Sequence, residues 1–288
     1  METATEARNV LIVGCQDRIG IVAAVTKLLV EQDCSIRESS HCHEDGRFFL
    51  RLVFAADTGK VLPPLGVLRE RFAPVAQQFG MDWKMHDLSE RPRTLIAVSK
   101  FGHCLYDLLH RWRSGLLPIE VVGVISNHDD MRSFVEWSGL PYFHLPSADG
   151  GKEAQEQKIL DLISGLEVDL LVLARYMQIL SPRLCQTLAG RCINIHHSFL
   201  PSFKGAKPYH QAHARGVKMI GATAHYVTVD LDEGPIIEQG VQRVNHSYNA
   251  AQLVEAGRDV ECSVLARAVK WHVEHRVIVN GPKTIVFE

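Results

Sequence analysis

The sequence has no strong excess of charge of either sign, since 31 Lys and Arg residues are matched by 33 Asp and Glu residues for a net charge of −2. Nucleic-acid-binding domains normally carry a basic face or stripe, so this balance argues against such a partner. No run approaches the roughly 18 apolar residues that a membrane helix requires, and the acidic amino terminus does not resemble a targeting signal. We therefore expect a soluble, cytoplasmic protein with neither nucleic-acid nor membrane partners.

Paired cysteines and nucleotide-binding motifs are also missing. The seven cysteines form no C-x-x-C pair and lie at Cys15, Cys34, Cys42, Cys104, Cys185, Cys192 and Cys262. An odd number of dispersed cysteines is not the pattern of a disulfide framework, which favours a reducing compartment. A glycine-rich dinucleotide motif is absent after the first apolar run of the second half, where the chain reads Ser99-Lys100-Phe101-Gly102-His103, and no Walker-type loop occurs. These absences disfavour a nicotinamide or ATP enzyme.

The 288 residues suffice for about two domains, and a hydrophobic content of 46% is enough to build their cores. Over residues 8–88 the apolar and turn patterns predict the order β-α-β-β-α-β of a ferredoxin-like sandwich. Its hairpin is expected at Asp45-Gly46, a strong turn signal. Its second helix is expected over 61–79, with Pro63 and Pro64 in the first turn and with a kink or a later start at Pro74.

The polar stretch Leu88–Pro92 predicts a domain boundary, and strands alternate with helices in the region 93–288 that follows. Continuous apolar runs such as Thr94–Ser99 are typical of strands buried on both faces of a parallel sheet. Consecutive strands, the long helix Ala250–Val273 and a terminal strand pair are expected near the end. We therefore predict an α/β protein with a small N-terminal domain and a C-terminal Rossmann-like domain with a mostly parallel sheet.

Two polar clusters stand in apolar surroundings. Asn194 and His196 are two residues apart, so a strand would turn both to one face and His197 to the other. An amide donor beside an imidazole can stabilise an oxyanion formed at a carbonyl group. Asp232 lies in an acidic turn after His225, and a part-buried carboxyl group there is expected to have a raised pKa and to act as a general base. This set predicts acyl or formyl chemistry without a covalent intermediate.

A metal-dependent amidohydrolase is the alternative enzyme class, because His196, His197, His225 and Asp232 are all suitable ligand types. No H-x-x-x-H or comparable spacing supports it, and Asn194 has no place as a ligand. We therefore expect no metal in this site.

The run Asn194-Ile195-His196-x-Ser198-x-Leu200-Pro201, followed by Leu231-Asp232-x-Gly234-Pro235, resembles the motifs of the folate-dependent formyltransferase fold. The segment LARYMQILSP, residues 173–182, is similar to the folate-binding strand and loop of that fold. The resemblance covers essentially all of 93–288 and implies that Asn194, His196 and Asp232 are the catalytic residues. The residues that it implies for folate binding, largely through their backbone, are Leu173, Met177, Gln178, Ile179, Leu180, Val227, Val229 and Asp230.

The loop between the first strand and the first helix, Gly14-Cys15-Gln16-Asp17-Arg18-Ile19-Gly20, resembles the ligand loop of ACT domains. These regulatory modules bind amino acids where two copies meet, so the resemblance implies an amino-acid effector and a homodimer or homotetramer. Glycines allow close backbone approach, and free N–H groups at a helix amino terminus favour a carboxylate. The residues expected to hold the effector are Gly14, Asp17, Arg18, Ile19 and Gly20. A tight turn without a ligand is the alternative.

An ACT-like domain before a formyltransferase domain resembles the formyltetrahydrofolate deformylase family. That resemblance implies hydrolysis of 10-formyltetrahydrofolate to formate and tetrahydrofolate, with the folate as substrate and no cofactor. It also implies that the formate serves purine synthesis and that the reaction balances the one-carbon folate pools. Arg175 stands where glycinamide-ribonucleotide transformylases usually have a small residue, His197 stands where they have proline, and Lys100–His103 replaces their phosphate-binding loop. Water is therefore the expected acceptor.

Arg175, His197 and His225 are expected to act on the catalytic groups rather than on the substrate itself. Two other functions stay open at this point. One is formyl transfer to an amine acceptor, and the other is a non-catalytic sensor of folate or amino acids.

Overall fold

The computed structural model describes residues 6–146, 151–200 and 208–288. Their contacts divide the chain into two compact units. The first contains the described residues up to Arg91 together with Glu274–Ile278 and Ile285–Glu288, and the second contains Pro92–Val273 and Val279–Thr284. The break at Arg91 falls in the expected boundary segment, whereas the expected range 93–288 differs from the second unit at the carboxyl end.

Packing around Arg51 explains this difference. Arg51 is a buried cation of the first unit that donates hydrogen bonds to the backbone carbonyls of Glu274 (3.1 Å) and His275 (3.2 Å). The ring of His275 also stacks on that of His86, with the ring centroids 3.9 Å apart. The sequence pattern of the last strands gave no sign of these contacts, because they join residues far apart in the chain.

The first unit contains the predicted β-α-β-β-α-β order. Its elements are β1 (Arg8–Gln16), α1 (Ile21–Glu31), β2 (Cys34–Glu44), β3 (Arg47–Ala56), α2 (Leu65–Phe79) and β4 (Asp82–Asp87). The strands form an antiparallel sheet in the order β2-β3-β1-β4. Apolar side chains of both helices and of the sheet build one core, in which Val25, Phe54 and Phe72 are fully buried.

Turn and proline chemistry fix two local features of this unit. Asp45 (φ 51°) and Gly46 (φ 75°) both have positive φ between paired Glu44 and Arg47, which is the geometry of a two-residue type I′ hairpin. The second helix begins at Leu65 rather than at residue 61. Pro64 has an extended backbone (ψ 141°), so it is the N-cap residue that precedes the first helical turn. Pro74 lies inside this continuous helix, so the expected later start at that proline is wrong.

The second unit contains a seven-stranded, mostly parallel sheet, as predicted. Its elements begin with β5 (Arg93–Val98), α3 (His103–Arg113), β6 (Glu120–Ser126), α4 (Arg132–Trp137), β7 (Tyr142–His144), α5 (Gly151–Gly165) and β8 (Leu170–Leu173). They continue with α6 (Pro182–Thr187), β9 (Cys192–His196), α7 (Pro208–Ala214), β10 (Met219–Tyr226), β11 (Ile236–Arg243) and α8 (Ala250–Val273). The strand order is β11-β10-β9-β8-β5-β6-β7, and β10 is antiparallel to both of its neighbours, β9 and β11, while the other pairs are parallel.

Two short helices of this unit, α6 and α7, were not predicted. They span only six and seven residues, too few for a helical apolar period to show. A capping signal was present for α6, since the Ser181 hydroxyl accepts a hydrogen bond from the Leu184 N–H (3.3 Å) and Pro182 occupies the first turn. The chain ends in a hairpin of β12 (Val277–Asn280) and β13 (Lys283–Val286). No helix within the described ranges is long and apolar enough to cross a membrane.

Candidate active site

A cavity of about 260 Å³ lies at the carboxyl ends of β8 and β9, where Leu173 pairs with Asn194. Every candidate site residue of the second domain lines it: Leu173, Arg175, Met177, Gln178, Ile179, Leu180, Asn194, His196, His197, His225, Val227, Val229, Asp230 and Asp232. The loop after β10 folds back so that Asp232 reaches the two strands. The fold thus brings together residues that are separated by up to 59 positions in the chain, from Leu173 to Asp232.

Asn194 and His225 face each other across the β9–β10 pair. The Nδ2 amide nitrogen of Asn194 lies 3.2 Å from Nε2 of His225, and Nδ1 of His225 lies 2.9 Å from the Tyr226 carbonyl oxygen. A carbonyl only accepts, so Nδ1 of His225 carries the proton and its Nε2 accepts from the amide. Burial lowers the pKa of His225, which favours this neutral tautomer. His225 therefore orients the Asn194 amide and leaves one N–H for the cavity.

His196 and Asp232 form the second contact of the site, with Nδ1 of His196 3.3 Å from Oδ2 of Asp232. The other carboxylate oxygen, Oδ1, lies 3.7 Å from Nε2 of His225. The hydrogen bond with His196 lowers the pKa of Asp232 and outweighs the opposing effect of burial. The expected raised pKa is therefore wrong: the carboxyl group is part-buried, but its hydrogen bond with His196 stabilises the charged form.

The turn that carries Asp232 explains the Asp-x-Gly spacing of the motif. Asp232 has a left-handed backbone (φ 58°), a conformation that Asp tolerates better than most residues. A Cβ atom on Gly234 would lie only 1.7 Å from the Tyr226 carbonyl oxygen. The Tyr226 N–H also donates to the Pro235 carbonyl (2.9 Å), which closes the loop against the end of β10. Glycine is thus the residue that lets Asp232 approach both histidines.

His197 does not point to the opposite face, as an unbroken strand would require. β9 ends at His196, and His197 lines the same cavity with its ring centroid 5.1 Å from that of His196. Burial and the nearby positive charge of Arg175 lower the pKa of His197 to about 4. His197 is therefore neutral at physiological pH.

A buried polar relay holds the 175–180 loop against the sheet. The Ser99 hydroxyl donates to Oδ1 of Asn127 (2.7 Å) and accepts from the Met177 N–H (3.0 Å). The Ser99 N–H donates to the Arg175 carbonyl (3.2 Å). Sequence reasoning missed Ser99 and Asn127, although a serine that ends a buried apolar strand was a usable signal.

Apolar side chains at the mouth of the cavity are unusually accessible. Met177 is 55% exposed, Ile179 is 59% exposed and Val229 is 51% exposed, all on the two loops that flank the catalytic groups. Concave sites with apolar walls and a few convergent polar groups are typical ligand sites. These exposed side chains are available to an apolar face of a ligand.

Glu261 of α8 is a third residue that sequence reasoning missed. Its carboxylate accepts hydrogen bonds from His103 Nε2 (2.8 Å) and the Tyr209 hydroxyl (2.8 Å), and it lies 3.4 Å from Nε of Arg175. The signal was an acidic residue on the apolar stripe of a long helix, between Gly257 and Val264, which are both buried.

Only one group of metal-ligand types converges in the part of the chain that the structure describes, and it differs from the set that the metal-dependent alternative would use. Ligand atoms of His103, Cys104 and Glu261 lie within 4.8 Å of one another. The guanidinium of Arg175 pairs with the same Glu261 carboxylate and opposes a bound cation there. His196, His197, His225 and Asp232 do not form such a group.

The predicted effector loop lies in the first unit and is open to solvent. Gln16 to Gly20 are exposed, with the Ile19 side chain fully so, and Gly20 begins α1 with φ 96°. Oδ2 of Asp17 lies 3.1 Å from Nδ1 of His43 on the neighbouring strand β2. Gly14 is buried in β1 beside Phe49. The loop therefore presents its backbone and Arg18 to solvent, and ligand binding there stays a prediction.

The chain resembles proteins of known family over nearly its whole length. The formyl transferase family model matches residues 92–269. A formyltetrahydrofolate deformylase of Corynebacterium sp. (strain P-1) is 53% identical, with 98% of each chain covered. That of Bacillus subtilis (strain 168) is 49% identical, with 98% of this chain and 94% of the relative covered. The crystal structure of formyltetrahydrofolate deformylase from Burkholderia mallei ATCC 23344 superposes with a TM-score of 0.92 at 52% identity, covering 98% of this chain and 100% of that one. The chain therefore belongs to the formyltetrahydrofolate deformylase family.

Proposed function

We propose that this enzyme hydrolyses 10-formyltetrahydrofolate to formate and tetrahydrofolate. The observation that carries the proposal is the convergence of Asn194, His196 and Asp232 on one apolar-walled cavity, with the Asp232 carboxylate paired to His196. Two donors and one carboxylate around a concave space suit attack on a carbonyl carbon. The relatives are named formyltetrahydrofolate deformylases, and that name indicates the same substrate.

In the proposed mechanism, Asp232 orients a water molecule and accepts its proton, and the water oxygen attacks the formyl carbon. The developing oxyanion accepts hydrogen bonds from the Asn194 amide and from His196 Nε2, a buried atom without a hydrogen-bond partner among the described residues. Because Nδ1 of His196 already donates to Asp232, this step uses the doubly protonated ring, in which Nε2 is also a donor. The carbon–nitrogen bond then breaks, and the proton held by Asp232 passes to the departing folate nitrogen. The formic acid that remains gives its own proton to Asp232 and leaves as the formate anion. The low pKa of Asp232 keeps its carboxylate ready for the first step.

We assign folate binding to the two loops at the mouth of the cavity. The pteridine would lie between the backbone of Met177–Leu180 and that of Val227–Asp230, with Leu173 in the wall behind them. The exposed Met177, Ile179 and Val229 side chains would lose solvent contact in the complex. The Ser99 relay supports this assignment, since it fixes the Met177 backbone before the ligand arrives.

We assign regulation to the first unit, through an amino acid held at the Gly14–Gly20 loop and a homodimer or homotetramer built from that unit. Its exposed backbone at a helix amino terminus supports carboxylate binding. We also propose a cytoplasmic location, which the seven unpaired cysteines support. Formate supply for purine synthesis and balance of the folate pools would be the physiological outcome.

The decisive experiment is formate release from 10-formyltetrahydrofolate by the purified protein, with chelator present and no amine added. Equal amounts of formate and tetrahydrofolate are expected. Formyl loss only after an amine is added would identify a transferase instead. Folate binding without turnover under every acceptor and effector condition would favour a sensor, and loss of activity on chelation would support a metal enzyme.

A further inference from the structure

Arg175 combines a mostly buried side chain with an unfavourable, left-handed backbone conformation. It lines the catalytic cavity with a side chain that is only 10% exposed, and it has a left-handed backbone with φ 66°. A long side chain adopts this conformation at an energetic cost, and residues held in this way cluster at functional sites. Glycine would relieve the cost, so the arginine side chain is retained for its guanidinium group.

Glu261 fixes that guanidinium. Its carboxylate is 1% exposed and lies 3.4 Å from Nε of Arg175, while His103 and Tyr209 hold the same carboxylate with hydrogen bonds of 2.8 Å each. Burial opposes ionisation of Glu261, but the His103 hydrogen bond and the Arg175 charge together lower its pKa. The ionised carboxylate therefore forms an ion pair with the Nε side of the planar guanidinium, although Nε itself makes no hydrogen bond to it.

The terminal nitrogens of Arg175 then remain for a ligand. Neither donates a hydrogen bond to another residue within the described parts of the chain. Two buried side-chain atoms lack hydrogen-bond partners in the same parts, Arg175 Nε and His196 Nε2, and both residues line the catalytic cavity. A planar fork of donors matches the two oxygens of a carboxylate.

We propose that Arg175 is an anion-binding residue for formate, a one-carbon carboxylate, and that Glu261 is its positioning residue. This inference rests on the proposed hydrolysis, in which the water oxygen and the formyl oxygen become the two carboxylate oxygens as the carbon–nitrogen bond breaks. The anion is thus formed in the cavity that Arg175 lines. Glu261 offsets the charge of Arg175, so the pair holds formate weakly and permits its release.

Binding of ¹³C-labelled formate, followed by NMR titration of the full-length protein, tests this proposal without turnover. Arg175→Gln should weaken formate binding by about tenfold or more, as expected for loss of charge-assisted hydrogen bonds, while tetrahydrofolate affinity stays close to wild type. Arg175→Lys should also weaken it, because a lysine keeps the charge but not the fork. Glu261→Gln should weaken it less, and Arg111→Gln, which removes a part-buried ion pair with Asp107 on α3 outside the cavity, should have no effect.

Formate affinity that is unchanged in Arg175→Gln, or that falls by the same factor as tetrahydrofolate affinity, would overturn the assignment. The measurements distinguish a failure of the proposed hydrolysis from a failure of the proposed anion site. Formate binding that depends on Arg175, without formate release from 10-formyltetrahydrofolate, would refute the hydrolysis alone. Hydrolysis by a wild-type protein that binds no formate would refute the anion site alone.

Discussion

Nδ1 of His196 lies 3.3 Å from Oδ2 of Asp232, and this contact determines the ionisation of the carboxyl group. An isolated part-buried carboxyl group would tend toward its neutral form, whereas the paired one is stabilised as a carboxylate. Asp232, the proposed water-orienting base, is therefore already charged at neutral pH. It need not lose a proton before the reaction begins.

Asp232→Asn tests this role, since it keeps the shape of the side chain and removes the charge. We expect kcat to fall by about 10²–10⁴, the range for loss of a positioned general base, with folate affinity and fold retained. Glu233→Gln is the matched control, because it makes the same change at the next residue, an exposed position outside the cavity. Steady-state kinetics with formate detection gives the answer, and unchanged turnover in Asp232→Asn would remove the residue from the mechanism.

Asn194→Ala removes the proposed oxyanion donor and should lower kcat by about 10²–10³. The KM for 10-formyltetrahydrofolate should change little, because the hydrogen bond strengthens only as charge develops on the oxygen. Rapid-quench measurement of the chemical step separates this effect from product release. A loss smaller than about tenfold would contradict the assignment.

His225→Phe tests whether His225 acts through Asn194. The variant keeps an aromatic ring but removes the Nε2 acceptor that orients the amide, so we expect kcat to fall by about tenfold. Combined with Asn194→Ala, it should add little further loss, because both changes remove the same contact. Tyr226→Phe, at the next residue of β10, is the control: it removes the part-buried hydrogen bond between the Tyr226 hydroxyl and His272 of α8 and should lower stability without changing kcat. Full additivity of the two losses would show that His225 acts by another route.

The sequence predicted the long elements and the members of the site, but not the contacts between distant residues. The Asp45-Gly46 hairpin and the helix α8 carried strong local signals and were placed correctly. The relay from Ser99 to Asn127 spans 28 positions, and the His103–Glu261 contact spans 158. The pKa of Asp232 was misjudged for the same reason, because it depends on how closely His196 approaches the carboxyl group in the folded chain.

Gly234→Ala tests whether the close turn at Gly234 is needed to position Asp232 beside His196. The added Cβ would collide with the Tyr226 carbonyl oxygen, so the loop must shift and Asp232 should lose its contact with His196. We expect a loss of kcat of about 10²-fold or more, as for a displaced catalytic group. Gly66→Ala, at an open position in α2, is the matched control and should leave activity and stability near wild type. Full activity of Gly234→Ala would show that the turn tolerates the shift.

His197 gives a prediction about stability and pH. Its pKa is lowered to about 4 in the folded protein, against an ordinary value of 6.5, so the unfolded chain binds the additional proton between these two pH values. The free energy of unfolding should therefore fall as the pH is lowered from 6.5 toward 4. His225 contributes in the same direction, since its pKa is also lowered.

Replacing His197 with Asn should make this decline shallower and leave the effect of His225 in place. Thermal unfolding of both proteins at neutral pH and near pH 5 measures the difference. An equal loss of Tm in wild type and His197→Asn would mean that His197 is not held neutral by its surroundings.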